Sequence, residues 1–163
     1  MDPLTVSTTI ARPREEVFAY LLDVANHPEF TDHYLVDWRL TRMDSVGTGA
    51  GARYQVKRPL NRFGFADFTI TEVDAPWRIV TQGRGGKYNR SRQLGVYELQ
   101  PEHGGTRVDF TVTTEPGKAS DRFVESFGVR GWYKRKTTKA LRRLRSILED
   151  GENRGQRATV APR

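Results

Sequence analysis

There is no cysteine in this 163-residue chain. That excludes a disulfide scaffold, a thiol nucleophile and any thiolate-held zinc or iron–sulfur group. Histidine is scarce, with three copies. His27 and His33 sit six residues apart, and His103 falls in the turn-forming run His103-Gly104-Gly105. Scattered histidines of this kind suit capping, turn and surface roles, so neither a metal site nor a cofactor is expected. A serine triad is not supported either: there is no Gly-x-Ser-x-Gly, and no His lies on a strand or the long helix opposite Ser91 or Ser126. No apolar run approaches the roughly 20 residues of a membrane-spanning helix. The opening Met1-Asp2-Pro3-Leu4-Thr5-Val6 lacks the basic and then apolar regions of a signal peptide. A cytoplasmic protein is the expectation.

What is present is a globular composition, 36% hydrophobic and 29% charged, in a chain long enough for one domain with a real core. The formal net charge of +7 is uneven. Residues 1–117 hold 14 basic and 15 acidic groups, whereas residues 118–163 hold 13 basic and 5 acidic groups. This asymmetry raises nucleic acid, a ribosome or an anionic membrane as partners. The competing reading is a solvated helix face, which the absence of interleaved aromatics and of a recognition motif favours.

The basic segment is also the longest periodic one. From Ala119 to Asp150, Phe123, Phe127, Tyr133, Ala140, Leu141, Leu144, Ile147 and Leu148 fall mostly three, four or seven apart, which makes one stripe on an α-helix. Arg135, Lys136, Lys139, Arg142 and Arg143 project from its other side. Gly128 and Gly131 fall in its first half, each costing about 1 kcal/mol against Ala in a helix interior. They mark either a kink that re-aims Trp132 or space left beneath the helix for a ligand.

Almost everything before that helix reads as strands. Thr5–Ile10 is a β-branched first strand. Pro13-Arg14-Glu15-Glu16 starts a short helix running to about Asp23, and Pro28 starts a second, to Tyr34. Alternation then predicts strands over 35–43, 52–57, 65–73, 77–82, 89–100 and 106–115, joined by Gly-, Pro- and Asn-rich turns. Gly83-Arg84-Gly85-Gly86 joins two of them and opens no helix, so it reads as a loop over a cavity mouth and not as a phosphate cradle. Strands linked in sequence by short turns are antiparallel. The polar tail 151–163 has no periodicity and is expected to be disordered.

This order, strand, two short helices, six strands, long helix, resembles the helix-grip fold of the START-like (SRPBCC) superfamily. Similar to that superfamily are the strand-to-helix entry Val6-Ser7-Thr8-Thr9-Ile10-Ala11-Arg12-Pro13-Arg14-Glu15-Glu16-Val17-Phe18, the second helix start Asn26-His27-Pro28-Glu29-Phe30 and Val46-Gly47-Thr48-Gly49 before a strand. The hairpin from Tyr97-Glu98-Leu99-Gln100-Pro101 to Gly104-Gly105-Thr106-Arg107-Val108 is similar too. The resemblance implies an α+β domain over 1–150, with a curved antiparallel sheet of about seven strands around the C-terminal helix. It also implies a deep cavity between them for a lipid, sterol or polyketide. A minority of such proteins are catalytic, chiefly polyketide cyclases, but their active-site pattern is not matched position by position here.

Strand parity supplies the candidate lining. Tyr54, Arg58, Phe68, Ile70, Tyr97, Phe110 and Val112 share the inward face, while Phe123, Phe127 and the small Gly131 approach from the helix. Tyr54, Arg58 and Tyr97 are the polar members that would orient a ligand through its oxygen atoms, and Arg58, beside Pro59, is either such a group or a solvated rim residue. Three functions stand: binding of an apolar or amphipathic small molecule, polyketide cyclase/aromatase-type catalysis with Tyr54, Arg58 and Tyr97 polarising a ketone, and polyanion binding by the basic helix.

Overall fold

The β-branched opening forms β1 (Leu4–Ile10), and Pro13 begins the turn into α1 (Arg14–Leu22), with Glu15 and Glu16 in its first turn. A single 3-10 turn, Val24–Asn26, is capped by the Asp23 carboxylate accepting from Ala25 N. It leads into α2 (His27–Thr31), which has Pro28 in its first turn. The strands follow as β2 (Leu35–Leu40), β3 (Gly51–Val56), β4 (Phe65–Asp74), β5 (Arg78–Gly85), β6 (Ser91–Glu102) and β7 (Gly105–Glu115). The long helix α3 (Val129–Asp150) comes next, and a two-residue β8 (Thr159–Val160) is the last described element. The computed structural model describes residues 2–57, 64–86, 90–115, 128–152 and 154–160.

Among the described residues the strands form one eight-stranded sheet, in the order β1-β7-β6-β5-β4-β3-β2-β8. It is antiparallel throughout except for β8, which lies parallel to β2. The β6–β7 hairpin turns on His103 and Gly104, both at positive φ (36° and 76°), as a tight two-residue loop requires. β1 and β2, neighbours in sequence, lie at opposite ends of the seven antiparallel strands. The two short helices therefore cross from one end of the sheet to the other.

α3 buries Thr137, Ala140, Leu141, Leu144, Ile147 and Leu148 against β1 and α2. Its C-terminal carbonyls are satisfied from β1's end: the Arg12 guanidinium donates to Leu148 O (2.8 Å) and Glu149 O (3.0 Å). Arg143 was expected on the solvated face. It instead turns to α2, donating to Glu29 O (2.9 Å) and pairing with Asp32. Arg135, Lys139 and Arg142 do stand exposed. Among the described residues no helix is long and apolar enough to cross a membrane.

Four expectations need correction. The helix does not carry Gly128 in its interior: Gly128 precedes α3 at φ 79°, and Gly131 lies in the first turn, so neither kinks it. The run Gly83-Arg84-Gly85 is not a loop but the end of β5. The tail is not without order, because Ala158 N donates to Ala25 O (2.9 Å), Ala158 is buried and Arg157 bonds Asn26 and Asp23. Strict alternation in β2 also fails. Asp37 sits at φ 55°, a left-handed conformation that Asp tolerates, and the register shifts between Val36 and Arg39. Val36 pairs with outward-facing Gln55, while Trp38 and Leu40 turn inward.

These contacts differ in worth. Leu144 is fully buried on the inner face of α3, so Leu144→Ala is expected to destabilise by about 2–5 kcal/mol. Arg157→Ala removes a half-exposed ion pair and is expected to cost under about 1 kcal/mol. Urea unfolding midpoints of the two variants check this order.

Candidate ligand-binding cavity

Register assembles the floor of the cavity. Residues directly opposed across strands share a face, and the concave face carries three such rows. Ala52 pairs with Phe68, Phe68 with Gly83 and Gly83 with Gln93. Ile70 pairs with Thr81, Thr81 with Gly95 and Gly95 with Val112. Ile79 pairs with Tyr97, and Tyr97 with Phe110. Glycine at 95 has a steric reason: a Cβ there would lie 2.6 Å from Thr81 Oγ1 and 3.3 Å from the Phe110 ring. Without it, Phe110 lies over the strand and stacks on Tyr97, with centroids 4.4 Å apart at 27°.

The roof comes from the two covering helices. His27, Phe30, Thr31 and Tyr34 descend from α2 and the turn that follows it, and Tyr133, Thr137, Ala140 and Leu141 from α3. Trp38, brought in by the Asp37 bulge, fills one wall against Tyr54 at 4.9 Å. The cavity opens partly to solvent and has a volume of about 60 Å³. That is room for about four waters, or a compact ring system of similar bulk.

Half of the lining residues are aromatic, counting His27, so the polar atoms stand out among rings. Thr31, Thr81 and Thr137 turn their hydroxyls to the carbonyls of His27 (2.7 Å), Gly95 (3.2 Å) and Tyr133 (2.7 Å). Gln93 Nε2 donates to Tyr133 Oη at 2.9 Å. The hydroxyls of Tyr34, Tyr54 and Tyr97 have no hydrogen-bond partner among the described residues, and all three side chains line the cavity. Burial pushes all three well above the ordinary tyrosine range, and the nearby Tyr133 hydroxyl adds to it. They stay neutral, each able to donate or accept.

His27 completes the polar set. It is buried, it donates from Nε2 to Leu21 O at 2.8 Å, and burial lowers its pKa against the opposing pull of that carbonyl and of Asp23. Since a carbonyl only accepts, Nε2 carries the proton and Nδ1 is left with a lone pair. Among the described residues no three His, Asp or Glu side chains gather closely enough to hold a metal ion.

Of the residues named from sequence, Tyr54, Phe68, Tyr97 and Phe110 line this space. Ile70 and Val112 share the concave face but are packed into the core beside it. Gly131 does not belong to it: it is exposed, and a Cβ there would meet no described atom within 4 Å. Arg58, Phe123 and Phe127 lie outside the described residues. Sequence reading missed His27, Phe30, Tyr34, Trp38, Thr81 and Gln93. Gln93 shares parity with Tyr97 and could have been found. Trp38 needed the bulge, and His27 needed the placement of α2.

A curved sheet gripping a helix over an aromatic cavity is the helix-grip architecture. Residues 1–149 match the family model described as polyketide cyclase / dehydrase and lipid transport, and the chain belongs to that family. Among solved structures it is similar to DynU16, a protein in the dynemicin biosynthetic locus. The TM-score is 0.64 at 17% identity, covering 95% of this chain and 50% of that one. It thus spans half the length of DynU16. The KanY protein gives a TM-score of 0.69 at 13% identity, with coverage of 90% and 96%. The protein TTHA0849 from Thermus thermophilus gives 0.66 at 16%, with coverage of 88% and 94%. At these identities the likeness is one of fold. No curated protein matches the sequence.

Neutral burial of His27 has a consequence for stability. The unfolded chain, with an ordinary histidine pKa of about 6.5, takes up a proton before the folded chain does, because burial lowers the folded value. Stability from this source is full above that pH and is lost as pH falls through it towards the folded value. Half-buried His33 is lowered too and adds to the trend. The urea midpoint is expected to fall between about pH 7.5 and about pH 5, and to fall less in His27→Gln. A parallel decline in both proteins would contradict this account.

Proposed function

We propose that this protein binds a compact, oxygen-bearing aromatic molecule of polyketide type in the cavity between the concave sheet and α3. The observation that carries the reading is the set of three tyrosine hydroxyls without described partners, at positions 34, 54 and 97, inside walls of Phe30, Trp38, Phe68 and Phe110. Family membership supports a hydrophobic ligand. Rings stack on rings, and buried hydroxyls reward a ligand whose oxygen atoms meet them. The small volume of the space suits a compact ring system.

A second reading, catalysis of polyketide ring closure or dehydration, draws on the same hydroxyls. Tyr54 and Tyr97 are neutral donors in an apolar site, the arrangement that polarises a ketone oxygen. Arg58, the third group in that scheme, lies outside the described residues.

Binding is tested by titrating the protein with 2-naphthol and with hexadecanoic acid while following tryptophan fluorescence, since Trp38 lines the cavity. The naphthol is expected to bind with quenching. Ala140 is buried, small and on the cavity roof, so Ala140→Leu should weaken naphthol binding about tenfold or more, at a stability cost of about 1–3 kcal/mol. Gly131→Leu points into open space and should leave binding unchanged. Tight fatty-acid binding without naphthol binding, or an Ala140→Leu protein that is folded and binds normally, overturns the reading.

A further inference from the structure

The tyrosine hydroxyls can each donate or accept, so by themselves they do not distinguish a ligand hydroxyl from an ether oxygen. His27 can. Its ring is boxed by aromatic neighbours: Phe68 stacked at 5.5 Å and 29°, Tyr97 edge-on at 6.1 Å and 87°, Phe30 at 5.5 Å and Trp38 at 6.4 Å. Nε2 is committed to Leu21 O, which fixes the tautomer. Nδ1 is then an acceptor only, on a buried residue of the cavity wall, with no hydrogen-bond partner among the described residues. A ligand that covers this acceptor without donating to it would leave it desolvated and unpaired, which is costly, whereas a ligand hydroxyl satisfies it.

We propose that His27 Nδ1 is the specificity-determining acceptor for a ligand hydroxyl, so that the cavity selects phenols and enols over the corresponding ethers. A tyrosine hydroxyl would donate to a second oxygen of the same molecule. The recognised class is therefore a hydroxylated ring or enol carrying a nearby carbonyl or hydroxyl. The idea rests on the proposed binding function and adds to it the chemistry of the group that is read. A site built to hydrogen-bond a hydroxyl rejects the analogue lacking it far more strongly than an apolar pocket rejects a change of size.

The test compares 2-naphthol, 2-methoxynaphthalene and naphthalene by calorimetry on wild-type, His27→Phe and His27→Gln proteins. Wild type should prefer 2-naphthol over both analogues by about tenfold. In His27→Phe the preference should shrink to under about twofold, whereas His27→Gln, which retains an acceptor oxygen, should keep part of it. A second readout needs no variant. In ¹⁵N spectra the His27 Nδ1 resonance should be that of an unprotonated nitrogen, and it should move on adding 2-naphthol but not 2-methoxynaphthalene. If none of the three compounds binds, the binding function itself fails. If all bind equally, or the preference persists in His27→Phe while the Nδ1 resonance stays still, the role of His27 is overturned and the binding function stands. Should His27→Phe not fold, the Nδ1 response decides.

Discussion

A curved antiparallel sheet cannot bury its own concave face, and in this chain the solution is forced by where β1 lies. β1 pairs with β7, while β2 lies at the far end of the antiparallel strands. The residues between them must cross the sheet. They do so as α1, a 3-10 turn and α2, which with the turn after it carries His27, Phe30 and Tyr34 over the concave side. α3 then lies against that crossing and against β1. Two arginines tie the covers down. Arg143 holds α2 to α3 through Glu29 O and Asp32, and Arg12 holds the end of β1 to the last carbonyls of α3. Hydrogen bonds from a charged donor to such otherwise orphaned carbonyls are among the stronger ones a protein makes.

Within that frame the chemistry of the cavity is set by neutrality. Burial raises the tyrosines and lowers His27, so no described group on the wall is charged near neutral pH. An uncharged wall avoids the penalty of burying an unpaired ion and leaves the lining open to apolar surface. Orientation then falls to a handful of dipolar groups whose protonation is fixed by their surroundings. Phe110 stacked on Tyr97, with Gly95 beneath, shows the accompanying cost: a glycine inside a strand weakens it, and is tolerated where a ring must approach the backbone.

Much of the architecture was legible beforehand because it depends on short-range patterns. A period of two marked β3 to β7 to within a few residues, Pro13 and Pro28 marked the two short helices, and the period of α3 singled out Ala140, Leu141, Leu144, Ile147 and Leu148. The same parity placed Tyr54, Phe68, Tyr97 and Phe110 on one face, since side chains of a regular strand cannot choose their side. Local errors arose where local rules bend. Asp37 entered the left-handed region and inverted the alternation of β2, Gly128 turned out to precede the helix, and Gly83 and Gly85 continued a strand although glycines usually mark its end.

What the sequence determined by itself was thus the set of elements and the face each residue takes. Only the tertiary structure decided which of those residues meet. His27 reads locally as a residue beside a proline. It becomes part of the cavity wall because α2 crosses the sheet, and its tautomer is set by a carbonyl six residues away in sequence. Tyr34 and Trp38 are fixed by a helix end and a bulge whose consequences appear only when β2 pairs with β3. The tail, polar and aperiodic, gains order because β2 offers a free edge, Ala25 O accepts from Ala158 N, and Asp23 and Asn26 offer partners for Arg157. In each case the determining partner is distant along the chain, and local propensity carries no information about it.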